Sequence, residues 1–347
     1  MKLYRLGTVP WQDSQLLYHA LPRIGREGLI LLSPATPYVC IGYFQDAEQE
    51  VDLAYCRAHG IPVFRREVGG GAVYLDGEQL FYQLVLHRDN SLVPPTRERF
   101  YRRFLQAPIA AYRDLGIRAE YRPVNDIVAH GRKISGNGVV EIGDYIVFVG
   151  NLIVDFDYET MARVLKVPDE KFRDKVYKTL RDNLSTIRRE LGFAPPREDL
   201  WDLLAESFAR VLGPMETRTE VDAEWRAEAD RLAGRMLSEG WLFRRGRQRD
   251  GRAITIRSGV QVLRRTYKAP GGLIRATLEV HEGRIASVSL SGDFFFYPAE
   301  RLADLEAALV GVPLEEAGSV VARFYADHGV ESPGVTAADF ARVLSAR

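Results

Sequence analysis

The sequence predicts an α/β (α+β) protein built in two parts. Three observations carry that expectation. Short apolar strand patterns are interleaved with helical patterns up to about residue 240. A polar, Arg-rich stretch with Gly246 and Gly251 follows over 240–257. Strand and helix patterns then restart from about Ile256. With 347 residues, this places two domains at 1–245 and 255–347.

In chain order, Trp11 to Ile24 has apolar residues at helical spacing (Leu16, Leu17, Ala20, Leu21), disturbed at its end by Pro22. Leu29–Leu32 and Tyr38–Ile41 read as buried strands, and Val51–His59 as a helix stopped by Gly60. Ile61–Arg66 is a strand leading into Gly69-Gly70-Gly71, followed by strands at Ala72–Leu75 and Phe81–His87. Thr96 caps a helix carrying Phe100, Phe104, Leu105, Ile109 and Tyr112 on one face, ended by Gly116. A meander comes next: Asp126–Ala129, Lys133–Ile142 and Tyr145–Phe156, with turns at His130-Gly131 and Gly143-Asp144. Short helices rich in Lys and Arg fill 158–192, and two more helices cover 196–212 and 222–239. The second part predicts a hairpin, Ile274–His281 and Ile285–Leu290, around Glu282-Gly283, then helices at 298–309, 315–327 and 336–345.

Bulk properties narrow the function. Lys plus Arg and Asp plus Glu are equal at 47 each, so no whole-chain basic field favours nucleic acid. No apolar run is long enough for a bilayer, and Met1–Gln12 has no signal-peptide core, so a cytoplasmic protein without a membrane partner is expected. Two cysteines, Cys40 and Cys56, cannot form a disulfide framework or a zinc quartet; both read as buried and structural. His59, His87, His130, His281 and His328 lack metal-ligand spacing. Arg181, Arg188 and Arg189 read as a solvated helix face, and Phe294-Phe295-Phe296-Tyr297 as core.

Two motifs carry chemistry. In Arg65-Arg66-Glu67-Val68-Gly69-Gly70-Gly71-Ala72-Val73-Tyr74, three glycines between strands let backbone N–H groups approach an anion, and Arg66 offers a cationic fork for phosphate. Taken alone, three glycines fit a plain hairpin turn better. In Gly131-Arg132-Lys133-Ile134-Ser135-Gly136-Asn137-Gly138, Lys133 sits on a strand beside small polar residues, where its point charge can bridge a carboxylate and a phosphate. A lone strand lysine is more often merely solvated.

Together, and in this order, the motifs resemble the lipoate–protein ligase family of the biotin and lipoate ligase superfamily. That family has Arg-Arg-x-Ser-Gly-Gly-Gly-x-Val-x-His-Asp, then Asn-Asp-Leu and Lys-Val/Ile-Ser-Gly-Asn/Ser-Ala. Cys40–Asp46 is similar to its Ile-Gly-Arg-x-Gln-Asn segment, and Gly292-Asp293-Phe294-Phe295 looks like part of its C-terminal accessory domain. The resemblance implies a mixed β-sheet catalytic domain of the class II aminoacyl-tRNA/biotin synthetase type, with a small C-terminal α/β accessory domain. It implies ATP and Mg²⁺ as cofactors, lipoate or octanoate as substrate, an acyl adenylate, and a lipoyl-domain or glycine-cleavage-H-type carrier, or a divergent lipoyl carrier, as partner.

Residue by residue, it implies that Lys133 contacts the acyl carboxyl and the adenylate phosphate. Arg66, Gly69, Gly70, Gly71, Ala72, Val73 and Tyr74 match the segment holding the nucleotide, together with Asn125, Ser135, Gly136 and Asn137; Asp126 matches a residue able to hold Mg²⁺. The acyl tail is expected over Val73, Leu75 and Phe81. The chain departs from the family at Val68 (Ser), Leu75 (His), Tyr43 (Arg), Asp46 (Asn), Phe81 and Gln83 (Asn and Ser/Thr) and Val149-Gly150-Asn151 (His-Gly-Thr). Octanoyltransferases share the fold, but those using a thiol need a cysteine near the acyl carbonyl, and none lies near Lys133. A biotin ligase lacks support because its Gly-Arg-Gly-Arg-type loop is missing, and a non-catalytic carrier-binding homologue is the remaining alternative.

Overall fold

The computed structural model describes residues 1–167, 172–245 and 260–345. The chain forms two compact units. One comprises Met1–Cys40, Val51–Phe64 and Val73–Ser238; the other comprises Ile41–Glu50, Arg65–Ala72 and Glu239–Arg347.

Strands through the first 218 residues are β1 (Lys2–Val9), β2 (Gly28–Pro34), β3 (Tyr38–Ile41), β4 (Val63–Arg65), β5 (Val73–Leu75), β6 (Gln79–His87), β7 (Ala119–Arg122), β8 (Asp126–Ala129), β9 (Arg132–Ser135), β10 (Asn137–Ile142), β11 (Tyr145–Ile153) and β12 (Glu216–Arg218). Six of them form a mixed sheet in the order β10-β11-β6-β2-β1-β12; β1 runs parallel to both β2 and β12, and the other pairs are antiparallel. The expected mixed-sheet architecture is therefore observed. Triplets β4-β3-β5 and β7-β8-β9 make two smaller sheets.

Period-2 geometry explains why β6 is buried along almost its whole length. Leu80, Tyr82, Leu84 and Leu86 enter a core shared with Phe148 and Leu152, covered by helices Arg97–Phe104, Gln106–Asp114 and Arg197–Leu212. Gln79, Phe81 and Gln83 point to the opposite face, where Asp13–Ala20 packs and Gln83 Nε2 donates to Ser14 O at 2.6 Å. Trp225, on helix Ala223–Met236, closes over that first helix, its Nε1 donating to Leu17 O at 2.9 Å.

Four expectations change on folding. The helix expected over 96–112 is two helices, because Pro108 has no N–H for the turn before it, and the chain restarts at Gln106. Thr96 does cap the first, accepting from Arg99 N. The single strand expected at Lys133–Ile142 breaks at Gly136: Ser135 pairs with Ile127 in the small sheet, whereas Asn137 pairs with Gly150 in the large one. Trp11–Ile24 is an α-helix from Asp13 to Ala20 and a 3-10 turn, Leu21–Ile24, stopped by Gly25 at φ 73°. Strands β1, β7 and β12, and Val260–Ala269 in the second unit, have no expected counterpart; β12 is exposed at all three residues and so has no apolar alternation.

In the second unit, β13 (Val260–Ala269), β14 (Gly272–His281) and β15 (Arg284–Gly292) form an antiparallel meander. Ile274, Ala276, Leu278 and Val280 alternate inward, as expected for a hairpin, and Glu282 and Gly283 both take positive φ at its turn. Helices Arg301–Leu309, Ala317–His328 and Ala337–Ser345 cover the inner face with Leu302, Leu305, Val321, Phe324, Phe340 and Val343. Phe294 and Phe296 are core residues, with Phe294 stacked on Phe44 at 5.2 Å. The stretch expected as a linker, 240–257, lies outside the described residues from 246 onward.

Candidate active site

Lys133 is carried on β9 and braced from both sides. Its strand pairs with β8, and its carbonyl accepts Ser185 N at 2.7 Å. About a third of its side chain is exposed, and Nζ lies 2.6 Å from Asp126 Oδ1, while Asp126 Oδ2 meets Arg122 at 3.0 Å. The ammonium is thus accessible and already beside an anion, a geometry suited to meeting a carboxylate or phosphate.

Ser135, Gly136 and Asn137, which follow on the same stretch, are tied down from both faces. Gly136 N donates to Asn151 Oδ1 at 3.0 Å; Asn151 Nδ2 donates to Gln79 Oε1 at 2.7 Å; Gln79 Nε2 donates to Tyr74 O at 3.1 Å. On the core side, buried Tyr82 donates to Asn137 Oδ1 and lies 3.1 Å from Ser135 Oγ. Burial raises the Tyr82 phenol above its ordinary range, so it acts as a neutral donor. Asn125 and Asn137 clasp reciprocally: Asn125 Nδ2 donates to Asn137 O, and Asn137 Nδ2 donates to Asn125 O at 3.0 Å. Structure therefore brings Lys133, Asp126, Asn125, Ser135, Gly136 and Asn137 together, and adds Tyr82, Gln79 and Asn151. Sequence reasoning missed those three as a group; the available signal was polar Gln79 and Asn151 inside apolar strands.

The glycine turn belongs to the second unit and has its own bracing. Arg66 Nη2 donates to both Gly69 O and Gly71 O at 2.8 Å, clamping the turn. Gly70, at φ 87°, gives its N–H to Phe294 O at 3.2 Å. A side chain at Gly69 would come within 2.8 Å of Phe294 O, and one at Gly42 would collide with Gly70 O. Close backbone packing is thus one physical reason for the glycines. Val73 and Tyr74 leave the turn along β5, opposite Cys40 and Val39.

Arg65, not singled out in advance, is the fully buried member of the Arg pair. Its guanidinium donates to Gly42 O, Tyr43 O, Gln45 O, Trp241 O and Leu242 O at 2.5–3.2 Å. Desolvation lowers its pKa to about 9. Where the family pattern has Arg and Asn, Tyr43 lies 4.1 Å beneath Arg244, and Asp46 accepts from Glu48 N and Gln49 Nε2, both at 3.0 Å. Burial raises the Asp46 carboxyl.

Both cysteines are buried, Cys40 at 0% and Cys56 at 1% exposure, and burial pushes the Cys56 thiol up to about 11. Among the described residues, no three His, Cys, Asp or Glu gather into a metal cage. Asp126 as a single carboxylate fits Mg²⁺ in the mode where phosphates and water supply the other ligands.

Residues 9–209 match the lipoyl protein ligase A/B catalytic domain, and 262–344 match the bacterial lipoate protein ligase C-terminus. This chain belongs to the lipoyl protein ligase A/B family. Among relatives of this ligase family, lipoate–protein ligase 2 of Staphylococcus aureus is 29% identical over 294 residues, covering 80% of this chain and 79% of its own. Octanoyltransferase LipM of Kyrpidia tusciae is 28% identical over 231 residues, covering 60% of this chain and 84% of its own. Among solved structures, the bi-partite lipoate protein ligase of Thermoplasma acidophilum, studied with its E2 lipoyl domain, superposes with TM-score 0.61 at 27% identity over 70% of this chain and 95% of that one. A lipoate-protein ligase A bound with ATP gives 0.59 at 26% identity, over 70% and 99%. The family and fold expected from the motifs are those found. No helix among the described residues is long and apolar enough to cross a membrane.

Proposed function

We propose that this chain is a cytoplasmic, ATP-dependent lipoate–protein ligase: it adenylates lipoate or octanoate and passes the acyl group to a lysine of a lipoyl-domain or glycine-cleavage-H-type carrier. The observation that carries the reading is Lys133, an accessible ammonium on a strand held from both sides, 2.6 Å from Asp126. Residues 1–245 are assigned the catalysis and 255–347 the accessory role.

In the first step a carboxylate oxygen of the acid bonds to the α-phosphorus of ATP, the bridging α–β P–O bond breaks, and pyrophosphate leaves. Lys133 holds the carboxyl oxygen against the phosphoryl oxygens and offsets the charge that gathers there. Asp126 is the residue that would hold Mg²⁺, whose chemistry is to neutralise the phosphates. Arg66, Gly69, Gly70, Gly71, Ala72, Val73 and Tyr74 are assigned to the nucleotide, and Asn125, Ser135, Gly136 and Asn137 to the adenylate beside Lys133. In the second step the neutral carrier amine bonds to the acyl carbon, the C–O bond to AMP breaks, and the amine's proton passes to solvent. No protein nucleophile takes part.

Replacing Lys133 with Ala should abolish acid-dependent AMP formation; near-normal turnover of that variant would overturn the assignment. Similarity to an octanoyltransferase favours a second reading, acyl transfer between carriers without ATP. Burial of both thiols speaks against a cysteine route. Octanoyl transfer from an acyl carrier to a lipoyl domain in the absence of ATP would establish that second reading instead.

A further inference from the structure

The strip of sheet leading away from Lys133 ends on an unsatisfied amide. On β6 and β11, Phe81 pairs with Asn151, and Gln83 with Val149, so these four side chains share the face opposite the apolar core. Val149 lies on a strand with neighbours on both sides, yet it is only partly buried, so this face is open at that point. At one end, Asn151 holds the Gly136 amide beside Lys133. At the other, Gln83 is 2% exposed beneath helix Asp13–Ala20.

Gln83 Nε2 donates to Ser14 O at 2.6 Å, while Gln83 Oε1 is buried without any hydrogen-bond partner. Turning the amide over would set two oxygens against each other, so the orientation is determined by its contact. Nearby hydroxyls are committed elsewhere: Ser14 Oγ donates to Trp11 O at 2.6 Å and meets Tyr38 OH at 2.9 Å, and Tyr38 OH accepts from Gln15. A buried acceptor left unmatched is costly and calls for a donor. From the Phe81–Asn151 pair to the Gln83–Val149 pair the strands advance about 7 Å, a span within the reach of a medium-chain acid.

We propose that Gln83 reads the distal end of the acid, and that this site takes a medium-chain carboxylic acid bearing a hydrogen-bond donor, a hydroxyl or a thiol, near its far end in preference to an unsubstituted one. This rests on the adenylation reading above. Lipoate in its cyclic disulfide form has no such donor; its reduced dithiol has two.

The test measures acid-dependent AMP formation by the full chain with octanoate, 8-hydroxyoctanoate, lipoate and, under reducing conditions, dihydrolipoate. Wild type should use the hydroxy acid and the dithiol with kcat/KM at least about tenfold above octanoate. In Gln83→Met, which keeps length and removes the acceptor, that preference should collapse to within about threefold. Equal use of all four acids by wild type, or an unchanged preference in Gln83→Met, overturns the proposal. Should Gln83→Met not fold, Gln83→Asn, which withdraws the acceptor by one methylene, is read in the same way. If no acid yields AMP, adenylation fails, and Gln83 is judged by calorimetric binding of the same four acids without ATP. Tighter binding of the hydroxy acid and dithiol then supports its role, and equal or absent binding overturns it.

Discussion

At the scale of single residues, Lys133 and Asp76 show two ways a charge is placed. Lys133 keeps solvent contact and a carboxylate neighbour. Asp76, just beyond β5, is drawn into a partly buried turn where its carboxylate accepts Glu78 N at 3.0 Å, and desolvation raises its pKa from 3.8 to about 6. Between those values the folded chain keeps a proton that the unfolded chain has released. Stability from this group therefore falls as pH rises from about 4 to about 6. Asp76→Asn, which preserves the acceptor and removes the charge, should match wild type near pH 4 and exceed it near pH 7, by on the order of 1–3 kcal/mol. Urea unfolding at the two pH values measures this; a stability difference independent of pH would rule out the buried carboxylate as its source. Lys133 was legible from sequence because Lys-Ile-Ser-Gly-Asn is contiguous and names its own small neighbours. The Gln79–Asn151–Gly136 chain was not, because its members lie up to 72 residues apart and meet only through the β6–β11 register.

At the scale of elements, what matters is where strands stop and which face each residue takes. The break at Gly136 hands the chain from the small sheet to the large one, and the freed Gly136 amide is taken by Asn151 rather than by a strand. Gly150, opposite Asn137, is small because Asn137 Oδ1 and the Tyr82 ring fill its core-facing space, the ring within 2.5 Å of where a Cβ would stand. Gly150→Ala should therefore push Tyr82 and Asn137 apart and destabilise the protein by about 1–3 kcal/mol. A thermal melt should show the midpoint lowered by several degrees. An unchanged midpoint would mean that the β10–β11 pair yields more easily than its packing implies. Helical periodicity located most helices correctly, since amphipathic spacing is a local property. It overran at Gln106, where one proline outweighs a continuous apolar face.

At the scale of the whole molecule, two units are assembled from segments that alternate along the chain. In the second unit Arg65 acts as the internal tie. Its five carbonyl acceptors come from 42–45 and 241–242, and Trp241 Nε1 returns a bond to Arg65 O at 2.8 Å. Arg65→Leu would leave those buried carbonyls without donors, and should cost roughly 3–5 kcal/mol. Hydrogen exchange read by mass spectrometry should show amides of 41–50 and 239–245 losing protection while β6 and β11 retain theirs. Retained protection in 41–50 and 239–245 would show that packing, not Arg65, holds these segments.

The sequence by itself determined the family, the mixed α/β character, the two motifs and the burial of both cysteines, because these rest on contiguous residues and on periodicities of 2 and 3.6. Only the tertiary structure decided that Arg65 is the buried tie while Arg66 clamps the glycine turn, that Gly136 separates two sheets, and that Gln83 lies buried with an open acceptor. The physical reason is the same in each case. A residue's type states how many hydrogen bonds it can make, but strand register and sheet order choose the partners, and those are set by residues far away in the chain.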